Sequence, residues 1–181
     1  GHVDECDTCG EILISYNSCG DRHCPKCQFI KKEKWLEARM RDFLPIQYFH
    51  VVFTIPDTLH EITLNNQKRV HDILFKSASE ALHAFSADKK YLGAQTGFIT
   101  LLHTWAKNLM YHPHLHCIVT GGGLSYDKNN WIDARSEFLY PRKPLAKMFR
   151  GKFLAYLAED YNAGKYSFNG SKYNFKKMIN S

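Results

Sequence analysis

The stretch that decides the fold is residues 111–119, Tyr-His-Pro-His-Leu-His-Cys-Ile-Val. Its His-Leu-His triplet leads into an apolar, β-branched run, which predicts a strand over residues 114–120. Alternate side chains of a strand point to the same face, so His114 and His116 project together, about 6.6 Å apart along the backbone. Two imidazoles on one side of a strand can hold a metal ion. The simpler alternative is an ordinary, half-buried histidine pair with satisfied hydrogen bonds.

The triplet does not fix the third ligand of this ion. A second strand is predicted at about residues 96–103, close enough in sequence to pair with the first in antiparallel fashion. His112 lies on the same strand face as His114 and His116. In a hairpin that turns around residues 107–108, His103 would lie opposite His112. These two rank first as third ligand. Further candidates are His50 and Gln95, whereas no metal contact is expected of His60, His71 or His83.

The rest of the apolar pattern predicts a mixed fold. Residues 46–55 are apolar on both alternating faces, which favours a central strand. Helical spacing predicts one helix over 66–85 and another that begins at Pro144 and ends at Gly164. The sum is an α+β fold, in which an antiparallel-dominated sheet is flanked by helices and preceded by a small zinc-binding module.

That module is predicted from the cysteines, five of which lie within the first 27 residues. Two Cys-x-x-Cys pairs are typical of a tetrahedral structural zinc site, and a disulfide framework is disfavoured because no secretory signal is visible. We therefore expect a zinc module and linking helix over residues 1–44 and the main domain over 45–181. The expected Zn²⁺ ligands are Cys6, Cys9, Cys24 and Cys27, with Cys19 and His23 as alternates for one of them.

The charge balance suits an anionic partner. The formal net charge is +6, and a basic run without any acid follows Pro141, although a merely solvated face is the alternative for that run. No apolar run approaches the roughly 20 residues that span a membrane, so we expect a soluble, cytoplasmic protein. The DNA-binding candidates are Arg142, Lys143, Lys147, Arg150 and Lys152.

Four segments together resemble one protein family. Residues 16–28 resemble the N-terminal zinc-binding region of insertion-sequence-91 transposases, and residues 103–117 resemble the core of their transposase domain. Residues 50–56 and 149–152 agree with the same family, in the same order. These transposases belong to the HUH endonucleases. The resemblance implies single-strand DNA nicking and joining through a phosphotyrosine intermediate in the full-length protein, with Mg²⁺ or Mn²⁺ at the histidine pair.

One part of the family pattern is missing. The tyrosine pair with three intervening residues does not occur near the end of the chain, so the chain is expected to be a fragment whose nucleophile lies beyond Ser181. Tyr161 and Tyr166 are weak candidates for that role. Two rival interpretations stay open: a non-catalytic, zinc-containing nucleic-acid-binding module, and a metal-dependent hydrolase of small substrates. The hydrolase is disfavoured because no acid lies beside the triplet; the nearest downstream one is Asp127.

Overall fold

A computed structural model describes residues 1–21, 24–134 and 139–168 of the 181-residue chain. The chain divides into two compact units, Gly1–Pro45 and Ile46–Ser181. Each unit is described by itself below.

The first unit combines a small hairpin with one helix. Strands β1 (His2–Glu5) and β2 (Ile12–Ser15) pair in antiparallel fashion. Helix α1 spans Pro25–Asp42. Proline is well suited to a first helical position because its missing N–H has no intrahelical partner there.

A three-stranded antiparallel sheet forms the frame of the second unit. Strands β3 (Tyr48–Thr54), β4 (Phe98–Trp105) and β5 (Tyr111–Thr120) lie in the order β3-β5-β4. Among the described strands the histidine-bearing β5 is therefore central and β3 lies at an edge. The prediction that β3 is central was wrong, because among the described strands it pairs only with β5. Its two faces also differ in burial, although both are apolar. Phe53 is buried, whereas Val52 on the other face is 43% exposed.

Helices cover one face of this sheet. A 3₁₀ turn at Asp57–Leu59 leads into α2 (His60–Asn65) and α3 (Gln67–Ala87), and α4 spans Arg142–Asn162. Helices α3 and α4 were expected from their apolar spacing, and α4 begins two residues before Pro144. Their apolar sides form one core with the buried face of the sheet. The core includes Phe53, Val70, Leu74, Leu82, Leu115, Cys117, Val119, Phe149, Phe153 and Leu157.

A second hairpin follows β5. Strands β6 (Gly122–Leu124) and β7 (Trp131–Asp133) pair in antiparallel fashion. Gly123 is required there by close backbone approach, since an added Cβ would lie 2.5 Å from the Gln95 carbonyl oxygen. The described residues thus confirm the α+β class, with antiparallel sheets and helices.

Candidate metal centre

Strand β5 carries a row of histidines on the face of the sheet that the helices do not cover. The strand alternates strictly: Pro113 and Leu115 are buried, whereas His112, His114 and His116 are only partly buried. This alternation follows from the period of two in a strand. The predicted common face of His114 and His116 is therefore present, and their Nε2 atoms lie 3.1 Å apart.

A third imidazole comes from the neighbouring strand β4. His103 pairs with His114 in the register of the two strands, not with His112 as the sequence suggested. The register shifts between His103 and Trp105, and this irregularity moves His103 along β5. The His103 ring centroid lies 4.5 Å from that of His116 and 5.4 Å from that of His114. The three side chains each offer a ring nitrogen within 4.8 Å of the others.

Two further contacts orient these rings. His114 Nδ1 lies 2.7 Å from the His112 carbonyl oxygen. A carbonyl only accepts, so Nδ1 donates its proton and Nε2 of the neutral ring keeps a free lone pair. His116 Nδ1 lies 2.7 Å from His50 Nε2, and the two rings stack with centroids 4.9 Å apart. His50 is thus an outer partner of His116, which presents its Nε2 to His114.

The surroundings of His116 favour its neutral imidazole form. Burial lowers the pKa of His116, and the neighbouring His103, His114 and His50 rings lower it further because like charges would repel. Neutral imidazole is the form that binds metal ions. Three imidazole nitrogens on one open sheet face therefore match the donor set of a divalent-ion site with positions left for other ligands.

Gln95 and His112 are not members of the three-histidine group. Gln95 pairs through its backbone with Leu124 and is outside the three-histidine group. His112 belongs to a second group of close potential ligands, together with Asp57 and His60. Sequence reasoning missed this second group, because residues 57 and 60 meet residue 112 only through the fold. The sole local signal was the spacing of three between Asp57 and His60.

The thiols of the first unit divide into two sets. Cys19, Cys24 and Cys27 lie within 4.8 Å of one another, with 3.5 Å between the sulfurs of Cys19 and Cys27. Cys6 and Cys9 lie outside this group, at the hairpin turn between β1 and β2. The structure thus brings the alternate Cys19 to the second Cys-x-x-Cys pair. His23 lies outside the described residues.

The three clustered cysteines, Cys19, Cys24 and Cys27, have the chemistry of a zinc site. The backbone N–H of Cys19 donates a hydrogen bond to Cys27 Sγ over 3.4 Å. This bond is the largest contribution to the lowered pKa of Cys27, which is about 7. A lowered pKa favours the thiolate, which is the form that binds zinc.

The basic candidates on α4 divide by their surroundings. Arg142 and Arg150 are exposed and border a cavity of about 720 Å³, which His50, Val52 and Thr54 of β3 also line. Lys143 and Lys147 are exposed. Lys152, in contrast, lies 2.8 Å from the carboxylate of Glu80, which also accepts a hydrogen bond from Tyr156.

The two tyrosine candidates lie on the covered side of the sheet. Tyr166 is 8% exposed and belongs to the core between the sheet and the helices, and Tyr161 packs against that core. Burial raises the pKa of Tyr166. The histidine row faces the opposite side, so the structure does not bring these tyrosines to the three histidines.

The sequence matches transposase families over both of its parts. Residues 1–55 match a family described as "Transposase zinc-binding domain", and residues 97–180 match one described as "Putative transposase". A protein of Sinorhizobium fredii named "Putative transposase y4qJ" is 46% identical over 168 residues. The chain belongs to the insertion-sequence-91 family of transposases. The expected family is thereby confirmed.

This transposase chain spans less than half the length of the curated relatives that it matches. The match to y4qJ covers 93% of the chain and 42% of that protein. The transposase for insertion sequence element IS801 of Pseudomonas savastanoi is 32% identical, over 65% of the chain and 28% of that protein.

Solved structures with which the chain shares partial similarity include those of the relaxase TrwC. One, complexed with a 27-mer DNA comprising the recognition hairpin and the cleavage site, has a TM-score of 0.47 at 10% identity and covers 61% of the transposase chain and 44% of its own. A metal-bound complex of the same relaxase with oriT DNA has a TM-score of 0.43 at 12% identity. This match covers 68% of the transposase chain and 46% of the relaxase chain. Among the described helices of the transposase chain, none has the length and apolarity to cross a membrane.

Proposed function

We propose that the full-length transposase nicks and rejoins single-stranded DNA through a metal-dependent, tyrosine-mediated reaction in the cytoplasm. The observation that carries this proposal is the group formed by His103, His114 and His116 on an open sheet face. A transposase must break and join phosphodiester bonds, and an imidazole-bound divalent ion is one established means of doing so.

The three histidines would hold one divalent ion, Mg²⁺ or Mn²⁺. When bound, the ion supplies Lewis-acid polarisation of the scissile phosphate. The chain's own part is orientation. The His112 carbonyl fixes the tautomer of His114, and His50 holds the ring of His116. Outer partners of this kind set the direction of the ligand lone pairs and increase metal affinity.

The surroundings of the histidines suit a DNA strand. Trp105 is 53% exposed and its ring stacks on that of His103, with centroids 5.2 Å apart. An exposed aromatic ring beside the metal can stack on an unpaired base. Arg142 and Arg150 border the cavity along β3 and would contact backbone phosphates. Lys143 and Lys147 add exposed positive charge to the same helix, whereas Lys152 is engaged by Glu80.

The nucleophile is assigned to a tyrosine other than Tyr161 and Tyr166. An attacking phenol must reach the phosphate held at the metal, and these two side chains pack on the opposite side of the sheet. We infer that the longer transposase supplies the tyrosine. The oxygen of that tyrosine would form a bond to phosphorus while the 3′ oxygen leaves, and the reverse reaction would rejoin the strand.

The N-terminal unit would hold one structural Zn²⁺. Cys19, Cys24 and Cys27 form the mutually close thiol set, and Cys6 and Cys9 remain candidates for the fourth position. Zinc there would contribute folding free energy to a unit whose described α1 has no buried residue.

The proposal is tested with the full-length transposase and end-labelled single-stranded DNA in Mn²⁺. A denaturing gel should show a covalent protein–DNA adduct that requires the metal. His114→Ala and His116→Ala should abolish the adduct, whereas the matched control His83→Ala should keep it, because His83 is exposed on α3, outside the cluster. DNA binding without any adduct would overturn the proposal in favour of a non-catalytic binding module.

A further inference from the structure

A second cluster of potential ligands lies next to the three histidines. Asp57 opens the 3₁₀ turn after β3, His60 begins α2, and His112 is the second residue of β5. Their ligand atoms all lie within 4.8 Å of one another. Three separate elements of the fold therefore bring a carboxylate and two imidazoles to one point.

The spacing of these atoms suits a shared ion better than direct hydrogen bonds. Asp57 Oδ1 lies 3.5 Å from His60 Nε2 and 3.9 Å from His112 Nδ1. Two ligands each bound at about 2.1 Å to one ion lie about 3.0 to 3.5 Å apart for octahedral or tetrahedral angles. The Asp57–His60 distance lies at the upper end of this range, and the Asp57–His112 distance exceeds it by a few tenths of an ångström.

His60 gives an independent sign of a missing partner. Its Nε2 is shielded from solvent and has no hydrogen-bond partner among the described residues. The ring is held in place by edge contacts with Tyr111 and His112, at centroid distances of 5.8 and 5.5 Å. A buried polar nitrogen without a partner is unfavourable, and an ion bound to its lone pair would satisfy it.

The cluster is open on one side. The Asp57 side chain is 88% exposed, whereas those of His60 and His112 are 20% and 34% exposed. An ion held here would keep coordination positions that face solvent. Since one carboxylate and two neutral imidazoles carry a single negative charge, a bound divalent ion would leave a net positive site.

We propose that Asp57, His60 and His112 bind a second divalent cation, whose open positions accept a phosphate oxygen of the nucleic-acid strand. The donor set of two imidazoles and one carboxylate suits Zn²⁺, Co²⁺ or Fe²⁺. The site adjoins the first one, since the rings of His112 and His114 are 5.4 Å apart and the His112 carbonyl accepts the hydrogen bond of His114. A strand crossing the open face would meet both ions.

The cation binding is independent of the proposed nuclease function, whereas the phosphate contact rests on it. The first test therefore omits DNA. The chain is loaded with one equivalent of Zn²⁺, which the thiolates take first, and then titrated with Co²⁺ by calorimetry. We expect about two Co²⁺ per chain in the unaltered protein and about one in His60→Ala.

Matched variants make the titration decisive. Asp57 is highly exposed, so Asp57→Asn should leave folding unchanged. It should lower the Co²⁺ affinity of the second site by at least about tenfold. The double variant His114→Ala/His116→Ala should lose the first site and keep the second. The control His83→Ala should still take about two Co²⁺. A single Co²⁺ in the unaltered protein that His60→Ala still binds, or unchanged binding in both His60→Ala and Asp57→Asn, would overturn the proposal.

The phosphate contact is tested separately by the affinity for a short single-stranded oligonucleotide. With Co²⁺ present, Asp57→Asn should bind it more weakly than the unaltered chain, whereas without Co²⁺ it should bind at least as tightly, because the substitution removes a negative charge. Equal affinities in both conditions, with two Co²⁺ still bound by the unaltered chain, would refute the phosphate contact and leave the cation site standing.

Discussion

Replacing His50 should weaken metal binding at the three histidines without removing a ligand. His50 Nε2 lies 2.7 Å from His116 Nδ1, and the two rings stack within 11° of parallel. His50→Ala frees the His116 ring to rotate away from His114. Loss of an outer partner typically lowers metal affinity by about 10 to 100-fold, which corresponds to about 1.4 to 2.7 kcal/mol of binding free energy.

The assay is a calorimetric Co²⁺ titration in an Asp57→Asn background, so that the proposed second site contributes little. His50→Gln is the conservative variant, because its amide can still meet His116 Nδ1, and its affinity should lie between those of His50→Ala and the unaltered residue. The control is His83→Ala, with unchanged affinity. An affinity within about twofold of normal in His50→Ala would refute the orienting role, and a loss far beyond 100-fold would make His50 a direct ligand.

Three further predictions concern the core, the helix pair and the basic residues. Leu115→Ala, at a side chain with no exposure, should lower the free energy of unfolding by about 2 to 5 kcal/mol in urea denaturation, whereas Leu101→Ala, on the open face, should change it by no more than about 0.5 kcal/mol. Lys152 and Tyr156 lower the pKa of Glu80, so the stabilising effect of the Glu80 carboxylate is present above the ordinary carboxyl pKa and is lost as the pH falls through the lowered pKa. The melting temperatures of the unaltered protein and Glu80→Gln should therefore differ at neutral pH and converge in acid. A difference that stays constant with pH would contradict this. Replacing Arg142 and Arg150 with Ala should reduce the slope of log affinity for single-stranded DNA against log salt by about 1.4, whereas Lys152→Ala should leave the slope nearly unchanged.

The predictable part of the site came from local periodicity. The alternation around residues 113–117 is enough to place His114 and His116 on one face, because a strand has a period of two and the odd residues are apolar. The antiparallel neighbour β4 was predicted from a different local signal, a strand at about residues 96–103 that lies close in sequence to the histidine strand. Local patterns of this kind survive folding because the buried face must be apolar along its whole length.

The unpredicted part depends on contacts between distant residues. The partner of His103 lies two positions from the expected one. Trp105 pairs with Tyr111 rather than with residue 110, and the register shifts once more between Trp105 and His103. No local pattern indicates such an irregularity. The edge position of β3 was missed because exposed apolar residues such as Val52 look like core residues in a sequence. Likewise, the spacing of the cysteines could not decide whether Cys19 would join Cys24.

Anomalous X-ray scattering from crystals soaked in Mn²⁺ tests the central claim most directly, since it locates the ion. We expect a peak coordinated by ring nitrogens of His103, His114 and His116, and its loss in His114→Ala. A peak bound only by Asp57, His60 and His112, or no peak near the three histidines at saturating Mn²⁺, would contradict the assignment of the metal centre.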